Sequence, residues 1–168
     1  MTERTALPPV RNPPTLIESA FTELPSGVAA ICALSDSGPI GMMLDCCAAA
    51  SLDPPLLSIS VPAMSAKWRA LALSARIGLN VLWGDQLTGD TNFSQSDACR
   101  LFDWGWQANE NGAVFLSEVP TWFECSIYTE VLLGDQAVAL LRVHSLKISA
   151  FAPRSRNIRD LATSHCLT

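Results

Sequence analysis

A chain of 168 residues, 49% of them hydrophobic, is long enough for one ordinary domain with a sizeable core. Its formal net charge of -5, from 11 Lys plus Arg against 16 Asp plus Glu, offers no concentrated basic surface to a phosphate backbone and argues against nucleic acid as a partner. It holds no apolar run long enough for a membrane span or signal peptide, so a cytoplasmic protein without a membrane partner is expected.

In chain order, residues 1–14 mix charge with prolines and read as a flexible arm before a domain over 15–152. PTLIESAFTEL spaces Leu16, Ala20 and Leu24 four apart, which predicts a short amphipathic helix ended by Pro25. GVAAICALS is a short apolar strand; Ser-Asp-Ser-Gly at 35–38 turns the chain, and PIGMMLDCC is the return strand. Asp53-Pro54-Pro55 is a rigid element, because each proline fixes its own backbone and restricts the residue before it. A strand follows from Leu56 to Val61, then a helix in SAKWRALALSA with Trp68, Leu71 and Ala75 on one face. RIGLNVLW alternates as a strand that turns Asn80 away from the Ile77 face, and SQSDACRLFDWG predicts a helix capped at Ser94 or Ser96. In WFECSIYTEVLL the period of two puts Phe123, Cys125, Ile127, Thr129, Val131 and Leu133 on one face. Gly134 and Asp135 turn into QAVALLRVHSLKISA, whose first half is apolar on both faces, as expected where one face meets the core and the other a second subunit. A polar, partly basic tail covers 153–168, with Arg154, Arg156 and Arg159 read as solvated.

Several short strands joined by turns, with few helices, favour a mainly β fold, a closed or partly closed antiparallel barrel. The positive mean hydropathy of +0.25 without a membrane span points to apolar surface buried between subunits. The six cysteines, Cys32, Cys46, Cys47, Cys99, Cys125 and Cys166, lack C-x-x-C spacing and are expected as reduced thiols. Phosphate-loop, dinucleotide-fingerprint, esterase and zinc-protease motifs are all missing. His144 and His165 are the only histidines, too few for a His-based metal site or triad, and no metal is expected.

LPSGVAAICAL, PIGMM, SLDPPLLSISV, SAKWRAL, IGLNVL, WFEC and Gly134-Asp135-Gln136 occur in an order and spacing that resemble the flavin reductase-like family. The resemblance implies an antiparallel FMN-binding split barrel of Greek-key type, paired as a homodimer with the flavin ring in a groove near the interface. It implies NAD(P)H-dependent reduction of FMN or FAD, with NADH or NADPH as reductant, to supply reduced flavin to a partner monooxygenase. Catalysis in such proteins is mostly placement, because the cofactor carries the redox chemistry.

Carried over by position, the segment after Gly41 and Met42 passes along the ring, where the family usually has Thr and a pair of Ser; here it reads Met43, Leu44, Asp45, Cys46, Cys47. Met43 cannot donate a hydrogen bond and an ionised Asp45 only accepts, so flavin contact is altered there. Ser51 and Leu52 match positions near the ribityl chain and phosphate, Ser65 and Lys67 positions that present a hydroxyl and a cation to the phosphate, and Asn80 a family Asn. Asn80 equally suits a strand Asn that satisfies nearby backbone. Gln136 stands where the family frequently has a His close to the nicotinamide. The departures leave two further readings open. One is a repurposed barrel with another ligand or reaction in its dimer groove and Asp45 as acid or base. The other is a non-catalytic flavin- or partner-binding module.

Overall fold

The computed structural model describes residues 14–23, 29–44, 46–82, 101–117 and 119–148. Pro14 opens the first helix; the rest of the expected arm, the residues around Pro25, the Ser94 and Ser96 caps, Asp45 and the 153–168 tail lie outside the described residues. Helix α1 (Pro14–Glu23) precedes strands β1 (Ala29–Ser35), β2 (Gly38–Leu44), β3 (Cys47–Leu52) and β4 (Pro55–Pro62). Helix α2 (Ala66–Ala72) and β5 (Ile77–Val81) follow. After a single 3-10 turn (Phe102–Trp104) come β6 (Trp106–Ala108), β7 (Val114–Leu116), β8 (Thr121–Leu133) and β9 (Gln136–Ile148).

All pairings are antiparallel, and one sheet runs β2-β1-β5-β8-β9-β4-β3, with β6 and β7 as a separate hairpin. Its outermost strands, β2 and β3, are consecutive in the chain: only two residues separate Leu44 from Cys47. Three Cα–Cα steps reach at most ~11 Å, so the opposite edges of the sheet must come together at this point. The sheet therefore curls into a barrel, and no ladder among the described residues joins β2 to β3, which leaves it split. The expected antiparallel split barrel is the fold observed.

The concave face holds the main core, which draws Ile31 from β1, Met42 and Leu44 from β2, Cys47 from β3, and Leu57 and Ile59 from β4. Leu79 of β5, Phe123 and Cys125 of β8, and Ala139 and Leu141 of β9 complete the ring, with Trp68 and Leu71 of α2 packed in. A second apolar cluster lies on the outer face, where Ala30, Cys32 and Leu82 meet Leu101, Ala108, Val114 and Leu116. This explains why GVAAICALS is apolar at nearly every position: its inward residues fill the barrel, and its outward ones lie beneath the β6–β7 hairpin.

Three expectations are corrected. The return strand foreseen through Cys47 is two strands, because β2 ends at Leu44 and Cys47 opens a new edge strand paired with β4. The β6–β7 hairpin was not foreseen at all; its strands have three residues each, too short to show a period. The single face drawn from Phe123 to Leu133 is broken by a register shift between Ile127 and Thr129. Ile127 faces Leu141, but Thr129 faces Leu140, so the extra residue at Tyr128 moves Thr129, Val131 and Leu133 to the opposite face.

Candidate flavin groove and its surroundings

Edge strand β3 is largely exposed. Cys46 is exposed, as are Ala48, Ala49 and Ala50, and Ser51 is half-buried before the exposed Leu52. Among the described residues β3 pairs only with β4, so its other side presents unpaired backbone N–H and C=O groups. Short side chains there let a flat ring approach the backbone. Met43, on the neighbouring edge, is half-buried and packs into the outer cluster with Phe102, Trp106 and Trp122. Gly41 keeps that surface close, since a Cβ there would stand 2.9 Å from Cys32 Sγ and 3.2 Å from Phe102.

The other sequence-derived positions gather at the far end of β4. Ser65 caps α2, its hydroxyl accepting from the Trp68 amide at 3.2 Å, and Lys67 follows half-buried on the helix. The Ala63 amide donates to Asp135 O at 2.9 Å, fastening this turn to the β8–β9 hairpin. Gln136 opens β9 opposite Pro62, and the Ser60 hydroxyl reaches its Oε1 at 3.5 Å. The Trp68 indole N–H donates to Glu130 Oε1 at 3.2 Å and ties α2 to β8. Ser51 pairs with Leu56, six residues before Pro62, so this group lies roughly 20 Å along β4 from Ser51 and Leu52. Within one chain, the strand β4 keeps Ser51 and Ser65 apart.

Asn80 has the structural one of its two roles. It is fully buried, and its Nδ2 donates to Val114 O and Gly78 O, each at 3.2 Å, with Ala30 O at 3.4 Å. Its Oδ1 accepts from the Leu116 amide at 2.8 Å. Beside it Gly78 lets β7 cross the sheet, because a Cβ would lie 2.0 Å from Val114 O.

A polar network that the sequence did not single out surrounds Glu124, buried at 8% exposure. Asn109 Nδ2 donates to Oε1 at 2.7 Å, Asn111 Nδ2 at 3.4 Å, Ser145 Oγ donates to Oε2 at 2.9 Å, and Arg76 Nε stands 3.7 Å away. Asn109 also accepts from the amides of Asn111 and Ala113, which fixes the β6–β7 turn over the sheet. The signal was present only as polar residues scattered over strands and a turn, which sequence alone does not pair.

Four cysteines are free among the described residues. Burial pushes the Cys32 and Cys47 thiols up to about 12, helped at Cys47 by its neighbour Cys46, and raises Cys125 well above the ordinary thiol range. Cys46 is the one exposed thiol among them. No helix among the described residues is long and apolar enough to cross a membrane.

Comparison with known proteins agrees with this architecture. The family model described as "Flavin reductase like domain" matches residues 21–158. A stachydrine N-demethylase reductase subunit from Rhizobium meliloti is 28% identical over 137 residues, covering 81% of this chain and 60% of its own length. The reductase component of a flavin-dependent trigonelline monooxygenase from Acinetobacter baylyi is 27% identical over 153 residues, 90% of this chain and 48% of that protein. The chain thus spans about half the length of these curated relatives. In fold, the styrene monooxygenase flavin reductase from Pseudomonas putida superposes with a TM-score of 0.61 at 24% identity, over 74% of this chain and 81% of that one. With most of its length matched by the family model and its strands in the same split barrel, the chain belongs to the flavin reductase-like family.

Proposed function

We propose that the chain is an NAD(P)H-dependent flavin reductase whose flavin lies along edge strand β3 and which supplies reduced flavin to a partner monooxygenase. One observation carries the reading: β3 is an edge strand with exposed alanines at 48–50, beside Cys46 and leading to Ser51. Unpaired backbone groups on such an edge suit the polar rim of a flavin, and the Ser51 hydroxyl suits its ribityl chain. The residues present therefore fit the cofactor.

Flavin, when bound, supplies the redox chemistry, taking a hydride from reduced nicotinamide. The protein orients both rings and excludes water. Gln136 can hold the nicotinamide carboxamide by hydrogen bonds without adding charge, and Met43 contributes apolar surface against the ring. Ser65 and Lys67 serve the second nucleotide, whose phosphates need a hydroxyl and a cation at the far end of β4. FMN and FAD, and NADH and NADPH, are all compatible with these groups. The related reductase component of a flavin-dependent monooxygenase from Acinetobacter baylyi supports a monooxygenase partner.

The homodimer reading is supported by the outer face of the β8–β9 hairpin, where Val131 and Leu133 are 52% and 59% exposed beside half-buried Val138 and Leu140. Free thiols at the four described cysteines suit a cytoplasmic setting.

The test is titration of the purified protein with FMN and FAD by flavin fluorescence, with NADH and NADPH oxidation followed on the same samples. Saturable binding and flavin-dependent oxidation are expected. No binding at high micromolar flavin would transfer the groove to another ligand. Asp45→Ser, which restores the small hydroxyl residue usual in the family, is expected to tighten FMN binding.

A further inference from the structure

On the convex face of the sheet, away from β3's open edge, two arginines and a histidine gather although the chain carries a net charge of -5. Arg142 of β9 faces Ser126 of β8 across one ladder and Leu56 of β4 across the other. Its guanidinium has no hydrogen-bond or ion-pair partner among the described residues, and it is exposed. His144 belongs to the same face because the ladder passes from Cys125 opposite Val143 to Glu124 opposite Ser145, leaving His144 as the extra residue of a bulge. His144 Nε2 lies 2.8 Å from Ser126 Oγ.

Arg76, just before β5, stands behind this pair with its Nε 3.7 Å from Glu124 Oε1. Among the described residues Glu124 is the one carboxylate facing the group, and donors from Asn109, Asn111 and Ser145 already occupy its oxygens. Burial and the positive charges of Arg76 and Arg142 hold the His144 imidazole below its ordinary value, against a smaller opposing pull from Glu124. The cluster thus has unspent positive potential, a hydroxyl and an imidazole on one patch. Leu56, beside Arg142, pairs with Ser51, so the patch lies two strands, about 10 Å, from a residue of the candidate groove.

We propose that Arg142, His144 and Ser126, backed by Arg76, form a binding site for a phosphate group. Arg142 offers a planar fork of donors, Ser126 a hydroxyl, and His144 a second donor once protonated. Binding and protonation are then linked: phosphate raises the affinity of His144 for its proton, and phosphate affinity falls as pH rises through the His144 titration. This goes beyond the flavin reading and is testable without flavin. A nucleotide cofactor and free inorganic phosphate are the two sources of such a group.

The His144 ring resonances of the full chain, assigned with His144→Gln, are titrated with pH in sodium phosphate and in sodium chloride of equal ionic strength. The His144 midpoint is expected to move up in phosphate by about half a unit or more, and Arg142→Ala is expected to weaken phosphate binding about tenfold with the spectrum otherwise unchanged. Identical midpoints in the two salts, or unaltered phosphate affinity in Arg142→Ala, would overturn the proposal. FMN and riboflavin are then added separately. A response to FMN alone identifies the flavin phosphate as the occupant. A response to inorganic phosphate with none to FMN keeps the site and removes flavin from it.

Discussion

The side-chain carbonyl of Asn80 takes a hydrogen bond from the Leu116 amide at 2.8 Å, so a residue of the central sheet holds down the hairpin that covers its outer face. The same side chain donates to Val114 O at 3.2 Å. Asn80→Ala leaves buried backbone groups of β7 without partners and should cost about 3 kcal/mol. Chemical denaturation measures the loss, and hydrogen exchange should show reduced protection concentrated at 106–116.

Gly78 serves the same docking by having no side chain. A methyl group there meets Val114 O at 2.0 Å, a contact with backbone that no rotamer relieves. Gly78→Ala should therefore destabilise by more than about 2 kcal/mol and expose the same hairpin to exchange. Paired with Asn80→Ala, its effect should fall short of additive, since both act on one crossing.

The thiols divide by burial. Of the four described cysteines, Cys46 should react fastest with a thiol reagent in the native state, while Cys32, Cys47 and Cys125 wait for unfolding. Counting fast-reacting thiols checks this: Cys46→Ser lowers the count by one, and serine at any of the other three positions leaves it unchanged. Because burial raises Cys32 and Cys47 to about 12, their contribution is intact below the ordinary thiol range, and stability should fall as pH climbs from 9 towards 12.

His144 acts on the acid side. Its folded-state affinity for a proton is lowered, so the unfolded chain binds that proton more readily. The resulting stability is present above the ordinary value of 6.5 and is lost as pH falls through the lowered folded value. Melting curves across this window should be flatter for His144→Gln than for the parent.

The outer strip at the hairpin end offers a separate test. If Val131 and Leu133 meet a second copy, Leu133→Asp should convert a dimer to a monomer in light scattering while leaving the far-ultraviolet spectrum of the barrel intact. An unchanged dimer would move the interface elsewhere.

Much of the barrel was legible because its signals are local. Apolar runs bounded by Gly, Pro and Ser-Asp-Ser-Gly marked β1, β2, β4 and the β8–β9 turn, and the order of short segments carried the family. What was hidden depends on contacts between distant residues. The bulge at Tyr128 adds a residue without altering composition, so the alternation drawn through Leu133 fell out of phase after Ile127. Asn80 was read from sequence as either a ligand contact or a backbone partner, and only the position of Val114 and Leu116 decides for the latter. Glu124 was visible as a polar residue of an alternating strand, but its donors come from Asn109, Asn111 and Ser145 on other elements. Of the candidate groove, the sequence indicated Met43, Cys46 and Ser51, but the exposed β3 edge between them required the strand order.

The two residues between Leu44 and Cys47 act as a covalent hinge pin for the whole cylinder. The first and last strands of the sheet share no ladder among the described residues, so their closeness rests on this link and on the side chains packed inside. Moving the chain termini to this point by circular permutation would keep every strand pairing and every other loop but release both borders of the sheet at once. Lengthening the link would act more gently, widening the cleft beside β3 in steps. The breadth of the candidate groove is thus written into the length of one short connection.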